Sequence, residues 1–225
     1  MEITGFGRFM SMVFTAALAI TAAASIYRIP STKITVDDAK DADERTTLSL
    51  MDNRRQVDLH ILLMMVALGM SLMALSTNLF FLIVCLELAS MASYVLVGFH
   101  KESRIGGEAG AKYFIVGSIA SATGIYGMSL LYLWAGSLDF ASLSASWAAM
   151  DTLDPLAGIG VGLMLVAFGF KVSAAPFHLA APDAYSGTNA PIAGMLATAS
   201  KAMGFVAMMR VLVGFAAPNL SLIHI

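Results

Sequence analysis

Long apolar stretches, separated by short polar ones, run along most of this chain. Six of them have the length that a helix needs to cross a hydrocarbon core of about 30 Å. The pattern therefore predicts an all-α fold, a polytopic bundle of about six transmembrane helices. The predicted spans cover approximately residues 9–27, 59–75, 79–99, 109–133, 156–175 and 190–215.

Two polar regions interrupt the apolar pattern. Ser76, Thr77 and Asn78 predict a very short turn between the second and third spans. Residues 28–58 are strongly polar, and the mixed charges from Asp37 to Arg45 indicate a solvated loop. We therefore divide the chain into a first transmembrane helix with its charged loop (residues 1–58), the remaining spans (residues 59–216) and a tail without assignment (residues 217–225).

The composition agrees with a membrane protein, since 58% of residues are hydrophobic, only 12% are charged and the mean hydropathy is +0.79. Soluble domains carry roughly 25% charged residues. The net charge of −2 gives no support for a nucleic-acid partner. The single Cys85 cannot form an internal disulfide, and the methionines scatter through the apolar segments as packing residues do, so we predict no metal site.

The distribution of basic residues predicts the orientation. Cytoplasmic loops are enriched in Lys and Arg. We therefore predict a multi-pass protein of the cell membrane whose odd-numbered connections face the cytoplasm. Both ends of this chain would then face outward, and that side has only Arg8 and Arg210. The basic residues of the odd-numbered connections are Arg28, Lys33, Lys40, Arg45, Arg54, Arg55, Lys101 and Arg104.

Lys171 is a charged residue inside the fifth span. A lysine at the bilayer centre costs roughly 2.5 to 3.5 kcal/mol on insertion scales, so such a residue usually has a function. Pro176 follows five residues later and should interrupt the helix. As one helix, the segment from Pro155 to Asp183 would be about 43 Å long, which exceeds the hydrocarbon core. We therefore expect a discontinuous helix with Lys171 near mid-depth.

Glu87 lies within the third predicted span and Lys201 within the last. Burial favours the neutral form of an amine, and a nearby carboxylate favours its charged form. A carboxylate that moved or changed charge would thus switch a lysine between holding and releasing a proton, which indicates proton transfer. The hydroxyls that could bridge the remaining gaps are those of Ser173, Thr198 and Ser200.

Two further residues leave alternatives open. Lys112 follows Glu108 by four residues at the start of the fourth span, so it could carry protons, extend to the interface, or form a surface ion pair. His178 follows the expected break, and it could pass protons between the two lysines or hydrogen-bond the exposed backbone of the broken helix.

The residues around the break resemble a known family. The elements Pro176-Phe177-His178, Pro182-Asp183, Tyr185 and Ser200-Lys201 are similar to the antiporter-like subunit N of respiratory complex I, the NADH:quinone oxidoreductase. Leu86-Glu87-Leu88 and Ala111-Lys112-Tyr113 extend the likeness, which covers about residues 59–215.

The resemblance implies a fold with two inverted five-helix repeats, each containing a broken helix. Residues 59–216 would then be an incomplete antiporter-like, proton-translocating domain, one half of that fold. It also implies that Glu87 and Lys171 are partners, that Lys201 passes protons onward, and that Lys112 matches the lysine of the family's sixth helix.

The sequence departs from the family pattern in three respects. Ala180 replaces an aromatic residue and Ser186 replaces Glu or Gln, while the first two helices and the second repeat of the family are not in this chain. We therefore expect an incomplete copy of a longer protein.

The function that the resemblance implies is that of a translocase subunit, in which proton movement is coupled to electron transfer in partner subunits. Other membrane subunits, the lipid bilayer and protons would be its partners. NAD(H), FMN, iron-sulfur clusters and quinone would be bound by those partners and not by this chain. The alternatives are a subunit of a Mrp-type cation/proton antiporter or membrane-bound hydrogenase or dehydrogenase, and a structural membrane scaffold with inert charges.

Overall fold

The computed structural model of the protein describes residues 3–26, 42–100 and 103–216, with the side chains of residues 5–26, 55–100 and 103–214. Residues 27–41, which carry much of the predicted loop, Lys101, and the tail from residue 217 onward lie outside the described residues. The predictions made for them stay predictions.

The described residues form helices joined by short connections. Two single π-helical turns, Leu196–Ser200 and Leu212–Ala216, follow the last two α-helices without interruption, so residues 190–216 form one helical rod. The α-helices are α1 (Ile3–Ser25), α2 (Ala42–Leu75), α3 (Leu79–Val97), α4 (Arg104–Ala135), α5 (Phe140–Ala148), α6 (Pro155–Val172), α7 (Ala180–Ser186), α8 (Ala190–Met195) and α9 (Lys201–Val211).

Within the described residues, six helical stretches are long and apolar enough to cross a membrane, which confirms the predicted number of spans. Large apolar side chains cover the outside of the bundle; Phe9, Met64 and Leu133 are 60%, 72% and 70% exposed. Such a surface suits lipid or neighbouring apolar helices. The protein is therefore a multi-pass membrane protein. The six stretches are Gly5–Ser25, Arg55–Leu75, Leu79–Val97, Arg104–Ala135, Pro155–Val172 and Ala190–Gly214.

The charged segment before the second span differs from the prediction. We expected a loop as far as Asp58, but α2 begins at Ala42. The prediction of a loop is therefore wrong for residues 42–58. The reason lies in the sequence, because no glycine or proline interrupts it from Ala42 to Leu68.

The short turn between α2 and α3 has the length that Ser76, Thr77 and Asn78 predict. Asn78 ends the turn as the N-cap of α3, and its side-chain oxygen accepts hydrogen bonds from the backbone N–H groups of Phe80 (2.9 Å) and Phe81 (3.3 Å). Its side-chain nitrogen donates to Asp139 at 2.7 Å, immediately before α5. The turn and the short α5 thus close the same end of the bundle.

Arg210 lies at that end too, and its position is unlike that of an interfacial arginine. It is only 5% exposed, and its guanidinium donates to the backbone carbonyls of Ala74 and Ser76. Carbonyl groups at the end of a helix lack intrahelical partners. Arg210 supplies those partners for α2 and joins the last span to the first half of the chain.

The remaining packing positions the break. The helix α4 contacts α3, α6 and α7, while α6 also contacts α9. The discontinuous helix predicted from Pro176 is present, since residues 173–179 form turns between α6 and α7. The break starts three residues before the proline, because Ser173 adopts the left-handed conformation (φ 56°) and ends α6.

Candidate functional site

Lys171 lies in the last turn of α6 and is buried within the bundle, with 5% of its surface exposed. Its ammonium nitrogen lies 5.3 Å from the centroid of the Tyr94 ring and 5.8 Å from that of Phe170. Nζ has no hydrogen-bond partner among the described residues. Aromatic faces attract a cation but do not accept its protons as an oxygen does. Lys171 is therefore a buried amine with free capacity to give or take a proton.

Glu87 lies on α3, the helix that also carries Tyr94, whose ring lies 5.3 Å from the Lys171 ammonium. The carboxylate is half-buried and accepts a hydrogen bond of 2.6 Å from the Ser121 hydroxyl on α4. Glu87 therefore lies inside the bundle, on a helix that contacts Lys171.

A small cavity lies between Lys171 and the second lysine, Lys201. Its volume is about 10 Å³, which is the lower limit for holding one water molecule. Polar groups from four elements meet there, and so both amines border the same small space. The polar side chains that line it are Tyr113, Lys171, Ser173, Tyr185, Ser200 and Lys201.

Lys201 reaches back to the end of α6. Its Nζ donates a 2.5 Å hydrogen bond to the hydroxyl of Ser173 and lies 5.7 Å from the centroid of the Tyr185 ring. Lys201 is the first residue after the π-helical turn Leu196–Ser200. Single π-turns inside α-helices occur frequently at functional sites. The two lysines thus lie on either side of the helix break and share the residues around it.

Of the three hydroxyls predicted to bridge gaps, Ser173 and Ser200 line the cavity. Thr198 does not, because it lies on the exposed side of its helix and donates to the backbone carbonyl of Gly194 at 2.7 Å.

Lys112 lies apart from this cluster, toward the start of α4. Its Nζ lies 2.8 Å from Glu108, the i,i+4 partner considered from the sequence, and 3.0 Å from Asp183 on α7. The side chain is half exposed. Lys112 therefore links α4 to the segment that follows the break.

His178 lies in the turn after Pro176 with its side chain exposed. Its side chain does not line the lysine cavity, while its backbone carbonyl accepts a 3.1 Å hydrogen bond from the N–H of Ala181, in the first turn of α7. Its two proposed roles stay open.

Sequence reasoning did not identify several residues of the site. Tyr113 and Tyr185 appeared only as parts of the motifs that carry the family resemblance, although they line the cavity between the lysines. Ser121, the donor to Glu87, is one of several small polar residues on α4. Asp183 appeared only as part of a motif, and its pairing with Lys112 bridges 71 positions of sequence. Tertiary structure alone brings these groups together.

A family model decides to which group of proteins this arrangement belongs. The model described as NADH:quinone oxidoreductase/Mrp antiporter, TM, matches residues 76–224, which include all five predicted site residues. The chain belongs to this family. The resemblance found from the residues around the break is thereby confirmed.

Members of the NADH:quinone oxidoreductase/Mrp antiporter family with similar sequences include NADH-quinone oxidoreductase subunit N of Desulfitobacterium hafniense. It is 45% identical over 150 residues, which make up 66% of this chain and 30% of that protein. The chain spans about a third of the length of the curated relatives that it matches.

Solved structures of the same family are similar in fold. One chain of respiratory complex I from Thermus thermophilus has a TM-score of 0.61 and 30% identity, and the match covers 93% of this chain and 48% of that chain. A chain of the Mrp complex from Dietzia has a TM-score of 0.61 at 20% identity, covering 92% and 44%. The second likeness concerns the fold alone. The antiporter-like helix bundle predicted from the sequence is thus confirmed.

Proposed function

We propose that the chain is part of a proton-translocating membrane subunit of an NADH:quinone oxidoreductase, similar to subunit N of complex I. In this role it moves protons through Glu87, Lys171 and Lys201, and it contributes to a translocase without carrying out redox chemistry itself. The single observation that carries the proposal is the pair of lysines at the helix break, which border one cavity, beside the helix that carries Glu87.

The electrostatics of this arrangement supports proton transfer. Lys171 is buried without a hydrogen-bond acceptor among the described residues, so its charged form depends on the negative charge of Glu87. When Glu87 is neutralised or moves away, the amine should release its proton toward the cavity. Lys201, held there by Ser173, is the nearest amine that can receive it.

Lys112 and His178 enter such a route as proposals. Lys112 lies at the edge of α4 in contact with Glu108 and Asp183, where a proton could be exchanged with the aqueous phase. His178 follows the break, and an imidazole can both accept and donate a proton. Residues 59–216 would form the antiporter-like domain, after a first span and charged segment in residues 1–58.

The remaining features of the function follow from this assignment. NAD(H), FMN, iron-sulfur clusters and quinone would be bound by partner subunits, and the chain would contact other membrane subunits and lipid. The connections that carry Arg55 and Arg104 would face the cytoplasm, since basic residues concentrate there.

The experiment that tests the proposal measures NADH-driven proton uptake in inverted membrane vesicles that contain the full-length protein in its assembled complex. We expect Lys171→Ala and Glu87→Ala each to lower the number of protons moved per NADH oxidised. A native gel should show the same amount of assembled complex for both variants and the wild type.

Two outcomes would contradict the proposal. Unchanged proton uptake in the complex that carries both substitutions would favour a structural scaffold with inert charges. Proton uptake driven by a sodium gradient in vesicles without NADH would favour a Mrp-type antiporter, which the family description also includes.

A further inference from the structure

We propose that the hydroxyl of Tyr113 is a proton-relay group between Lys171 and Lys201. This inference rests on the proposed function and adds a residue that carries no charge. Tyr113 lies on α4, directly after Lys112, and its side chain points into the bundle and lines the cavity that the two lysines share.

The position of Tyr113 is fixed by aromatic neighbours. Its ring meets Tyr94 edge-on with centroids 5.0 Å apart, and it lies 5.7 Å from the ring of Phe170, the residue before Lys171. Such contacts hold a ring at a defined angle. The polar end of the side chain is therefore directed toward the cavity and not toward lipid.

Tyr113 shares the cavity with other hydroxyl groups. Ser200, the residue before Lys201, and Tyr185 line the same small space. A phenol both donates and accepts hydrogen bonds. Tyr113 can thus accept a proton from the Lys171 side while it donates its own proton toward Ser200 and Lys201.

The transfer can be written so that every proton is accounted for. Lys171 gives one proton to a water molecule or directly to the oxygen of Tyr113, and becomes a neutral amine. Tyr113 passes its original phenolic proton to the hydroxyl of Ser200 or to a water molecule, which gives up one of its own protons, so no tyrosinate accumulates. Neutral Lys201 receives that proton at the end. A water molecule must fill the gap between Lys171 and Tyr113 when Lys171 keeps its present rotamer. The reason is that its Nζ has no partner within hydrogen-bonding distance among the described residues.

Tyr126 provides a matched control on the same helix. It also lies on α4, but its side chain is 60% exposed. It does not line the cavity of the two lysines. Tyr113→Phe and Tyr126→Phe therefore each remove one hydroxyl from α4, but only the first removes it from the space between the lysines.

The experiment compares these two variants in the assembled complex, in inverted vesicles that oxidise NADH. We expect Tyr113→Phe to slow proton uptake about a hundredfold, at the lower end of the range that a positioned proton-transfer group contributes. The KM for quinone should stay unchanged, and the solvent isotope effect in heavy water should increase, since proton transfer then limits the rate. Tyr126→Phe should retain the wild-type rate and isotope effect.

Wild-type uptake and isotope effect in Tyr113→Phe would overturn the inference, and so would equal losses in both variants. The variant Lys171→Ala separates this outcome from a failure of the proposed function. If Lys171→Ala loses proton uptake while Tyr113→Phe keeps it, only the relay through Tyr113 is contradicted. If Tyr113→Phe does not assemble, Ser200→Ala replaces it, and a wild-type isotope effect in that variant also overturns the inference.

Discussion

The ammonium of Lys201 donates a 2.5 Å hydrogen bond to Ser173, the residue at which the helix carrying Lys171 ends. One lysine is thereby attached to the break that positions the other. A change in the charge of Lys201 would alter its bond to the end of α6, so the proton on one amine can influence the surroundings of the other. The two lysines form a coupled pair without direct contact.

The first prediction concerns Ser173, which combines a hydroxyl with a left-handed backbone (φ 56°). Both Ser173→Ala and Ser173→Gly remove the acceptor of Lys201, so both should slow NADH-driven proton uptake to a similar extent. Glycine adopts left-handed angles without the cost of about 1 kcal/mol that a Cβ imposes. We therefore expect Ser173→Gly to be more stable than Ser173→Ala in thermal unfolding of the detergent-solubilised protein.

A different result would assign another role to this residue. If Ser173→Gly pumped protons like the wild type while Ser173→Ala did not, the backbone conformation would matter and the hydrogen bond to Lys201 would not.

The second prediction concerns Gly204, which allows α9 to approach α6 at Lys171. A Cβ at Gly204 would lie 2.8 Å from the Cβ of Lys171 and 3.0 Å from a methyl carbon of Val172. Small residues permit this close contact between membrane helices. We expect Gly204→Ala to lower the free energy of unfolding by about 1 to 3 kcal/mol and to slow proton uptake by displacing Lys171.

Gly162, in the middle of α6, is the matched control, since nothing lies within 4 Å of a Cβ built there. Gly162→Ala should leave both stability and proton uptake near the wild-type values. Equal effects of the two substitutions, measured by thermal unfolding in detergent and by vesicle assays, would show that the contact with Lys171 is unimportant.

The sequence predicted the features that depend on charge and on strong backbone preferences. Lys171, Glu87 and Lys201 stand out because ionised side chains are rare in apolar spans, and Pro176 indicated the break. The structure places the start of that break at Ser173, because a left-handed conformation of a serine leaves no clear pattern in a sequence. The sequence analysis missed the first part of α2 because the high density of charged residues suggested a solvated loop. The same density of charge is also compatible with a helix.

The neutral groups of the site could not be predicted in the same way. Tyr113 and Ser121 belong to α4, whose long apolar run contains many aromatic and small polar residues. Their importance depends on the contact of α4 with α3 and α6. Only the packing of these three helices distinguishes Tyr113, at the cavity, from Tyr126 and Tyr132, which are 60% and 55% exposed.

The third prediction decides between the open alternatives for Lys112, using its contact with Asp183 at 3.0 Å. If this ion pair holds α7 in place, Lys112→Ala, Asp183→Ala and the double variant should slow proton uptake equally, because each breaks the same link. The effect should shrink at high salt, which screens a half-exposed pair. Glu108→Ala removes only the partner on the same helix and should change little.

A proton carrier would behave differently in the same vesicle assay. Lys112→Ala would then cause a further large loss in the Asp183→Ala background, and the loss would persist at high salt, since the amine itself would be required. Equal rates of proton uptake in the single and double variants would instead identify Lys112 as a residue that positions the segment after the break.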